Sequence, residues 1–332
     1  MVQCVVTGLG SYVPQRVLSN HDLEQMVDTN DEWIVSRTGI RERRLASADE
    51  TTSDMAYHAS VLALRDAGVR GEDLDFVLVA TNTSDTVFPS TAARLQARLS
   101  DRPMAAMDVQ AGCTGWIYAI AMAKALIESK ACMRVLVAAS DKLSSIVDYH
   151  DRSTAVLFGD GAGAIVLEAR EGPGTVGVLS TYLNADGRGA ELLVQPGGGS
   201  REPASHETVD GGLHFLKMSG NEVFRFAVKA MPEAVEEGLK RAGLTVDDID
   251  FLIPHQANQR IIDAAMRQFH LSEHQVVKNV SRYGNTSVAS IPLALDEARH
   301  EGRLLPGALV VLAAFGSGLT WGSVVLRWGM DR

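Results

Sequence analysis

Hydrophobic and polar positions along this chain follow two periods, and both recur in the same order in each half. "RVLVAAS" (134–140) and "ALVVLAAFG" (308–316) are unbroken runs of β-branched and small apolar residues, the pattern of buried strands. In "NQRIIDAAMRQFH" the apolar residues Ile261, Ile262, Ala265, Met266 and Phe269 return at helical spacing and predict an inward face, with Arg260 and Arg267 on a more exposed side. "WIYAIAMAKALI" predicts an almost uncharged helix that is too short to cross a membrane and carries Lys124.

The same order of elements appears twice. "LRDAGVRGEDLDF" (64–76) and "LKRAGLTVDDIDF" (239–251) share Leu, Ala, Gly, Asp, Asp and Phe at matching positions. Each reads as a helix end with a glycine cap at Gly68 or Gly243, an acidic turn, and a strand opening at Phe76 or Phe251. "GDGAGAIVLEA" (159–169) then parallels "GSGLTWGSVVLRW" (316–328), and "DVQAGCT" (108–114) parallels "NVSRYGNT" (279–286) as a strand and turn opening a small-residue helix. Two related α/β units are expected, 1–174 and 175–332, divided in "REGPGTVG". Segment 186–212 reads as an exposed excursion.

Composition narrows the function. The 332 residues are 46% hydrophobic and 22% charged, enough for a substantial core. A net charge of −10 argues against broad nucleic-acid binding. The opening "MVQCVVTGLG" reads as a strand and turn and not as an export signal. Cys4, Cys113 and Cys132 are too scattered for a disulfide framework, and no Cys-x-x-Cys pair suggests a metal. A reducing compartment, the cytoplasm, is the expected location.

Cys113 stands where a strand ends and a helix begins, between Gly112 and Gly115. The positive end of a helix dipole favours thiolate over thiol there. If the halves are duplicated, equivalent loops meet at their interface, and the Cys113 loop faces the loop of Asn285. His255 follows "DFLIP" at a strand exit and joins the same junction. A thiol, an imidazole and an amide together suit acyl transfer. Two glycine-rich stretches, "GLGSYVP" (8–14) and "GDGAGA" (159–164), lack the residues of nucleotide loops and are expected to be turns.

The combination of "QAGCTGW", "PHQANQRI", "RYGNTSVASIPLAL", "FGDGAGA", "AAFGSGLTWGS", "TNDEWIVSRTGIRER" and "KMSGNEVFRFAV" resembles β-ketoacyl-acyl-carrier-protein synthase III, a thiolase-fold condensing enzyme, from end to end. The resemblance implies an α/β fold of two duplicated halves in a layered α-β-α-β-α core. It implies decarboxylating condensation of an acyl-CoA primer with malonyl-acyl-carrier protein, without a tightly bound cofactor, in a cytoplasmic homodimer. Cys113 would carry the acyl group, while His255 and Asn285 stabilise the enolate. The backbone N–H groups of Cys113 and Ser317 would form the oxyanion hole, although "GSG" replaces the family's usual three glycines. Thr29, Trp33, Arg37, Arg152, Asn221 and Asn258 match coenzyme contacts, with Trp33 and Arg152 sandwiching the adenine. Phe88 matches a ring that closes the acyl pocket across the dimer interface; Trp116, Leu143, Phe158, Leu216 and Met218 are candidates for its lining. Arg225, Arg260 and Arg267 are candidates for docking the acidic carrier protein.

Other readings fit less well. A degradative thiolase needs a second cysteine in the C-terminal half, and none follows Cys132. Elongating condensing enzymes use a second histidine where Asn285 stands. A cysteine protease has no place for the duplicated α/β pattern. A related enzyme of secondary metabolism, acting on another acyl primer, is the nearest alternative.

Overall fold

Two sheets with matching strand order organise the chain. In this computed structural model, which describes residues 2–172 and 174–330, the first sheet holds β1 (Val2–Tyr12), β2 (Phe76–Ala80), β3 (Ala105–Val109), β4 (Arg134–Asp141) and β5 (Gly161–Glu171). Their order is β1-β5-β4-β2-β3. The second sheet holds β6 (Gly177–Ala185), β7 (Phe251–Pro254), β8 (Leu309–Gly316) and β9 (Thr320–Arg327), in the order β6-β9-β8-β7. Directions match as well. Phe76 on β2 lies parallel to Val135 on β4, as Phe251 on β7 lies parallel to Val310 on β8, and the remaining pairs of the repeat are antiparallel.

The repeat is imperfect in one place. The strand expected within 279–286 is a helical turn, Val280–Tyr283, and the counterpart of β3 shrinks to one bridge between Leu252 and Val276. Gln256 explains the exchange. Its Oε1 accepts the N–H groups of Asn279 and Val280, which satisfies the turn's free donors where a strand partner would otherwise be needed.

The main helices are α1 (Asp31–Thr38), α2 (Thr52–Ala67), α3 (Thr91–Leu99), α4 (Gly115–Glu128), α5 (Gly220–Arg241), α6 (Gln259–Gln268) and α7 (Ser290–His300). Helices α4 and α7 lie between the two sheets, α2 and α3 cover the first sheet, and α5 and α6 cover the second. This is the expected α-β-α-β-α layering. On α4, Ile117, Ile120, Ala123 and Ile127 are buried, and each isoleucine contributes ~1.5–3 kcal/mol by leaving water. No helix among the described residues is long and apolar enough to cross a membrane.

Most of each glycine-rich stretch expected as a turn lies in a strand, residues 8–12 in β1 and 161–164 in β5. Their glycines serve layer packing. A Cβ on Gly8 would collide with the Ala63 carbonyl of α2, and one on Gly163 would lie 2.5 Å from Pro292 of α7. Segment 186–212 is largely exposed, as expected, yet Leu193, Val194 and Gln195 within it fold over the cavity described next.

Candidate active site

Cys113 sits in the short turn between β3 and α4, preceded by Gly112 at φ 55°, a left-handed conformation that glycine adopts freely. The turn after β8 presses against it. A Cβ on Gly316 would lie 2.5 Å from Cys113 N, and one on Gly112 would lie 2.6 Å from Ser317 N. The two amides proposed by resemblance as an oxyanion hole are therefore neighbours. The expected thiolate needs correction. Burial pushes the Cys113 thiol up to about 12, and the charge of Asp141 adds to the rise; a hydrogen bond from Ser287 Oγ to Sγ, 3.4 Å, opposes it. The resting group is a thiol. The helix N-terminus and the Ser287 hydroxyl both favour its ionisation.

His255 leaves the end of β7 with its N–H on the Ala313 carbonyl, 2.8 Å. Its ring meets Phe315 edge to face, with centroids 5.4 Å apart, and its Nδ1 lies 2.6 Å from Ser290 Oγ. Ser290 Oγ accepts the Gln256 N–H at 3.4 Å, so its own hydrogen is free to point at Nδ1. With the hydroxyl hydrogen directed at Nδ1, the proton of the neutral ring sits on Nε2. Burial lowers the imidazole pKa to about 3, so the ring is neutral across the physiological range.

Asn285 is fixed through its backbone. Its N–H donates to Leu157 O at 2.8 Å, and its carbonyl accepts from Gly159 at 3.0 Å. Its Oδ1 accepts the Ser287 N–H at 2.9 Å, which leaves the amide NH2 free for another acceptor. The Asn285 side chain thus bridges to the residue two ahead, and α7 starts only at Ser290.

Cys113, His255 and Asn285 line one cavity of about 280 Å³, together with Arg37, Met218, Asn221 and Asn258. A second chamber of about 120 Å³ adjoins Cys113 and is lined by Leu143, Phe158, Leu216, Ser287 and Ser317. Cys113 stands between the two. Trp116 lines neither. It is 1% exposed in the core between the sheets, so its place in an acyl pocket is withdrawn. Position 116 lies one residue into α4, where the side chain turns back into the core.

The remaining candidates fall at the edges. The Arg152 guanidinium lies over the Trp33 ring, 4.8 Å from its centroid, so a base entering between them has to displace it. The Thr29 hydroxyl is buried without a hydrogen-bond partner, and Asn258 Nδ2 donates to the Arg37 carbonyl at 3.1 Å. Phe88 is 84% exposed beside a third, open cavity lined by Val87, Gln110 and Gly199. Arg260 stacks on Phe224 and borders the main cavity, Arg267 is exposed on α6, and Arg225 pairs with Glu222 at 2.9 Å.

Ser287, Ser290, Asn82 and Arg43 were not singled out in the sequence. Arg43 is completely buried, donating to the carbonyls of Leu18 and Val156 and to Asn20, and so ties the 16–45 region to the Phe158 loop. Within "RERRL" it is indistinguishable from a surface charge.

Comparison with known proteins identifies the family. Residues 107–187 match the family model "3-Oxoacyl-acyl-carrier-protein (ACP) synthase III", and residues 239–328 match the model of its C-terminal part. The chain is similar to the beta-ketoacyl-acyl-carrier-protein synthase III of Caldanaerobacter subterraneus, 51% identical over 97% of both chains. Its structure is similar to that of the Thermus thermophilus synthase III, with 49% identity and a TM-score of 0.91, covering 98% of this chain and 99% of that one. A priming β-ketosynthase of the R1128 polyketide pathway has a TM-score of 0.90 but only 35% identity, over 99% and 97% of the two chains.

Proposed function

The chain belongs to the 3-oxoacyl-acyl-carrier-protein synthase III family and carries out the condensation that initiates fatty acid synthesis; from that premise we propose how its residues divide the reaction. The relatives near 50% identity do not favour a specialised pathway. Cys113 Sγ attacks the thioester carbonyl of an acyl-CoA, and the coenzyme leaves as a free thiol with the cysteine's proton. The N–H groups of Cys113 and Ser317 hold the oxyanion of that step. Malonyl-acyl-carrier protein then enters the vacated cavity. His255 Nε2–H and the Asn285 amide hold its thioester carbonyl, carbon dioxide departs, and the resulting carbanion attacks the acyl carbon. The Cys113 thiolate leaves and takes a proton from water. No resident cofactor takes part.

Around this centre, Thr29, Trp33, Arg37, Arg152, Asn221 and Asn258 bind the coenzyme, and Leu143, Phe158 and Leu216 receive the acyl chain; Met218, expected there, lines the main cavity instead. A second copy of the chain pairs along the exposed edge strand β3, and its Phe88 closes the open side of the chamber. An 84%-exposed phenylalanine next to Val87, which lines the open cavity adjoining the chamber, supports this homodimer. Arg225, Arg260 and Arg267 receive the acidic carrier protein, and the enzyme works in the cytoplasm.

The observation that carries the reading is the convergence of Cys113, His255 and Asn285, from three separate segments, on one cavity. Incubation with a panel of acyl-CoAs followed by mass spectrometry tests it. A short acyl mass on the Cys113 peptide is expected, since the chamber measures only about 120 Å³. Acylation at any other residue, or none, rejects it.

A further inference from the structure

Three groups of the site meet on Ser287. Its N–H donates to Asn285 Oδ1 at 2.9 Å, its hydroxyl donates to Cys113 Sγ at 3.4 Å, and its Oγ accepts from Asn82 Nδ2 at 3.2 Å. Its φ is 50°, the left-handed region that a residue with a side chain seldom occupies. Behind it, the second Asn82 Nδ2 hydrogen lies on Asp141 Oδ2 at 2.9 Å. Asp141 is completely buried and also accepts from the Thr81 hydroxyl, the Asn82 N–H, the Thr83 N–H and the Thr83 hydroxyl. With donors on every side, both of its oxygens accept and neither gives a hydrogen.

That fixes the direction of the whole chain. The nitrogen of the Asn82 amide, and not its oxygen, must face Asp141. The same nitrogen then faces Ser287 Oγ, which can only accept from it. One hydrogen remains on Ser287, and it points at the sulfur.

We propose that Ser287 is a positioning residue that activates the nucleophile: the Asp141–Asn82 pair sets its hydroxyl to donate to Cys113 Sγ as the thiol loses its proton. The same residue's N–H orients Asn285, so one strained position serves both halves of the reaction. The inference rests on Cys113 being the acyl-accepting group. The other charged or titratable groups at the cavity are Asp141, which works against the thiolate through its charge, His255, which is neutral, and Arg37 and Arg260 on the wall.

The test is the pH profile of Cys113 alkylation by iodoacetamide, read by peptide mass spectrometry, beside the rate of acylation by acetyl-CoA. Ser287→Gly is the principal variant, because glycine suits the left-handed backbone while removing the hydroxymethyl group; Ser287→Ala, which removes the oxygen alone, is its partner. In both, the alkylation profile should move up by about one pH unit and acylation near neutral pH should fall about tenfold, the effect of losing a hydrogen bond to a charged group. Asn82→Ala should act in the same direction alone and add nothing in the Ser287→Gly background. A Ser287→Gly profile that superimposes on the parent overturns the proposal, as does an Asn82→Ala effect of equal size in both backgrounds. If the unmodified enzyme takes no acyl group on Cys113, the assignment of the nucleophile itself fails, and the alkylation profiles still judge the hydrogen-bond chain separately.

Discussion

The two junctions that build the site come from different places in the repeat, Cys113 after β3 and His255 after β7, the counterpart of β2, and burial acts on them in opposite senses. In the first half, the turn after β3 buries a thiol and pushes its pKa up to about 12. In the second, the exit of β7 buries an imidazole and lowers its pKa to about 3. Both groups are therefore neutral at rest. For the role proposed for His255 that is the useful state, because a neutral ring with its proton on Nε2 can donate to a developing enolate. For Cys113 it is an obstacle, and local donors have to offset it. The duplicated fold brings two different strand ends to one cavity, and the side chains placed there decide what desolvation does.

The largest expected effect separates the junctions outright. His255→Ala and Asn285→Ala should each reduce malonyl decarboxylation by ~10²–10³, the loss typical of one oxyanion-stabilising donor. Both should still accept an acyl group on Cys113. The check is carbon dioxide release beside acyl transfer in each variant, and decarboxylation at the parent rate in either would remove that residue from the second half of the reaction.

Next in size is a divergence with pH. Acylation requires the thiolate of a group titrating near 12, so its rate should climb about tenfold per unit between about pH 6 and about pH 8. Decarboxylation needs uncharged His255, which protonates only near pH 3, and should stay flat over that window. Measuring the half-reactions separately decides the matter; parallel profiles would mean that one group controls both. The same depressed imidazole has a stability consequence. Below its ordinary value of 6.5 the unfolded chain takes up a proton that the folded one refuses until about 3. Stability from this group is thus complete above about pH 6.5 and is lost as pH falls toward 3.

Much of this was legible in the sequence. Phe76 and Phe251 open strands where the repeated "LDF" and "IDF" place them, and Gly115 opens the almost uncharged helix. Those elements are specified by local period and turn chemistry. What escaped notice depends on contacts between distant residues. Ser287 and Ser290 look like small residues leading into a helix, yet their partners Cys113 and His255 lie 174 and 35 positions away. The glycines of β1 and β5 suggested turns because nothing local shows that a helix passes over them. Trp116 was misplaced for a related reason: one residue's direction on a helix follows from its packing, which no short pattern records.

Ser290 offers a finer cut at the second junction. Ser290→Ala removes the donor to His255 Nδ1, and the ring proton can then sit on either nitrogen. Decarboxylation should fall about tenfold, the scale of one lost hydrogen bond to a group that gains charge. Nitrogen-15 shifts of His255 should change from a single Nε2–H tautomer to a mixture, while acylation of Cys113 continues. An unchanged tautomer would assign Ser290 to packing alone.

The smallest effect concerns how the two substrates reach the shared cavity. The apolar face of α6 points inward as its spacing predicted, with Ile261, Ile262, Ala265 and Phe269 buried, so Arg260 and Arg267 are left toward solvent. They differ in one respect. Arg260 stacks on Phe224 and borders the cavity itself, whereas Arg267 lies two turns further along. Arg225 is partly neutralised by Glu222 and should contribute least. On a chain of net charge −10, a local basic patch is needed to attract an acidic carrier protein, and its pull should weaken with salt. Arg267→Glu should therefore slow the reaction with malonyl-carrier protein by roughly three- to tenfold and flatten its salt dependence, with acylation by acyl-CoA retained. Arg260→Glu should slow both steps, because it places a carboxylate on the wall of the cavity proposed to receive the coenzyme. Titrating each half-reaction against salt in the two variants distinguishes them. If Arg267→Glu impaired acyl-CoA and carrier-protein reactions equally, the outer turn of α6 would belong to the coenzyme path, and the carrier surface would lie on another face.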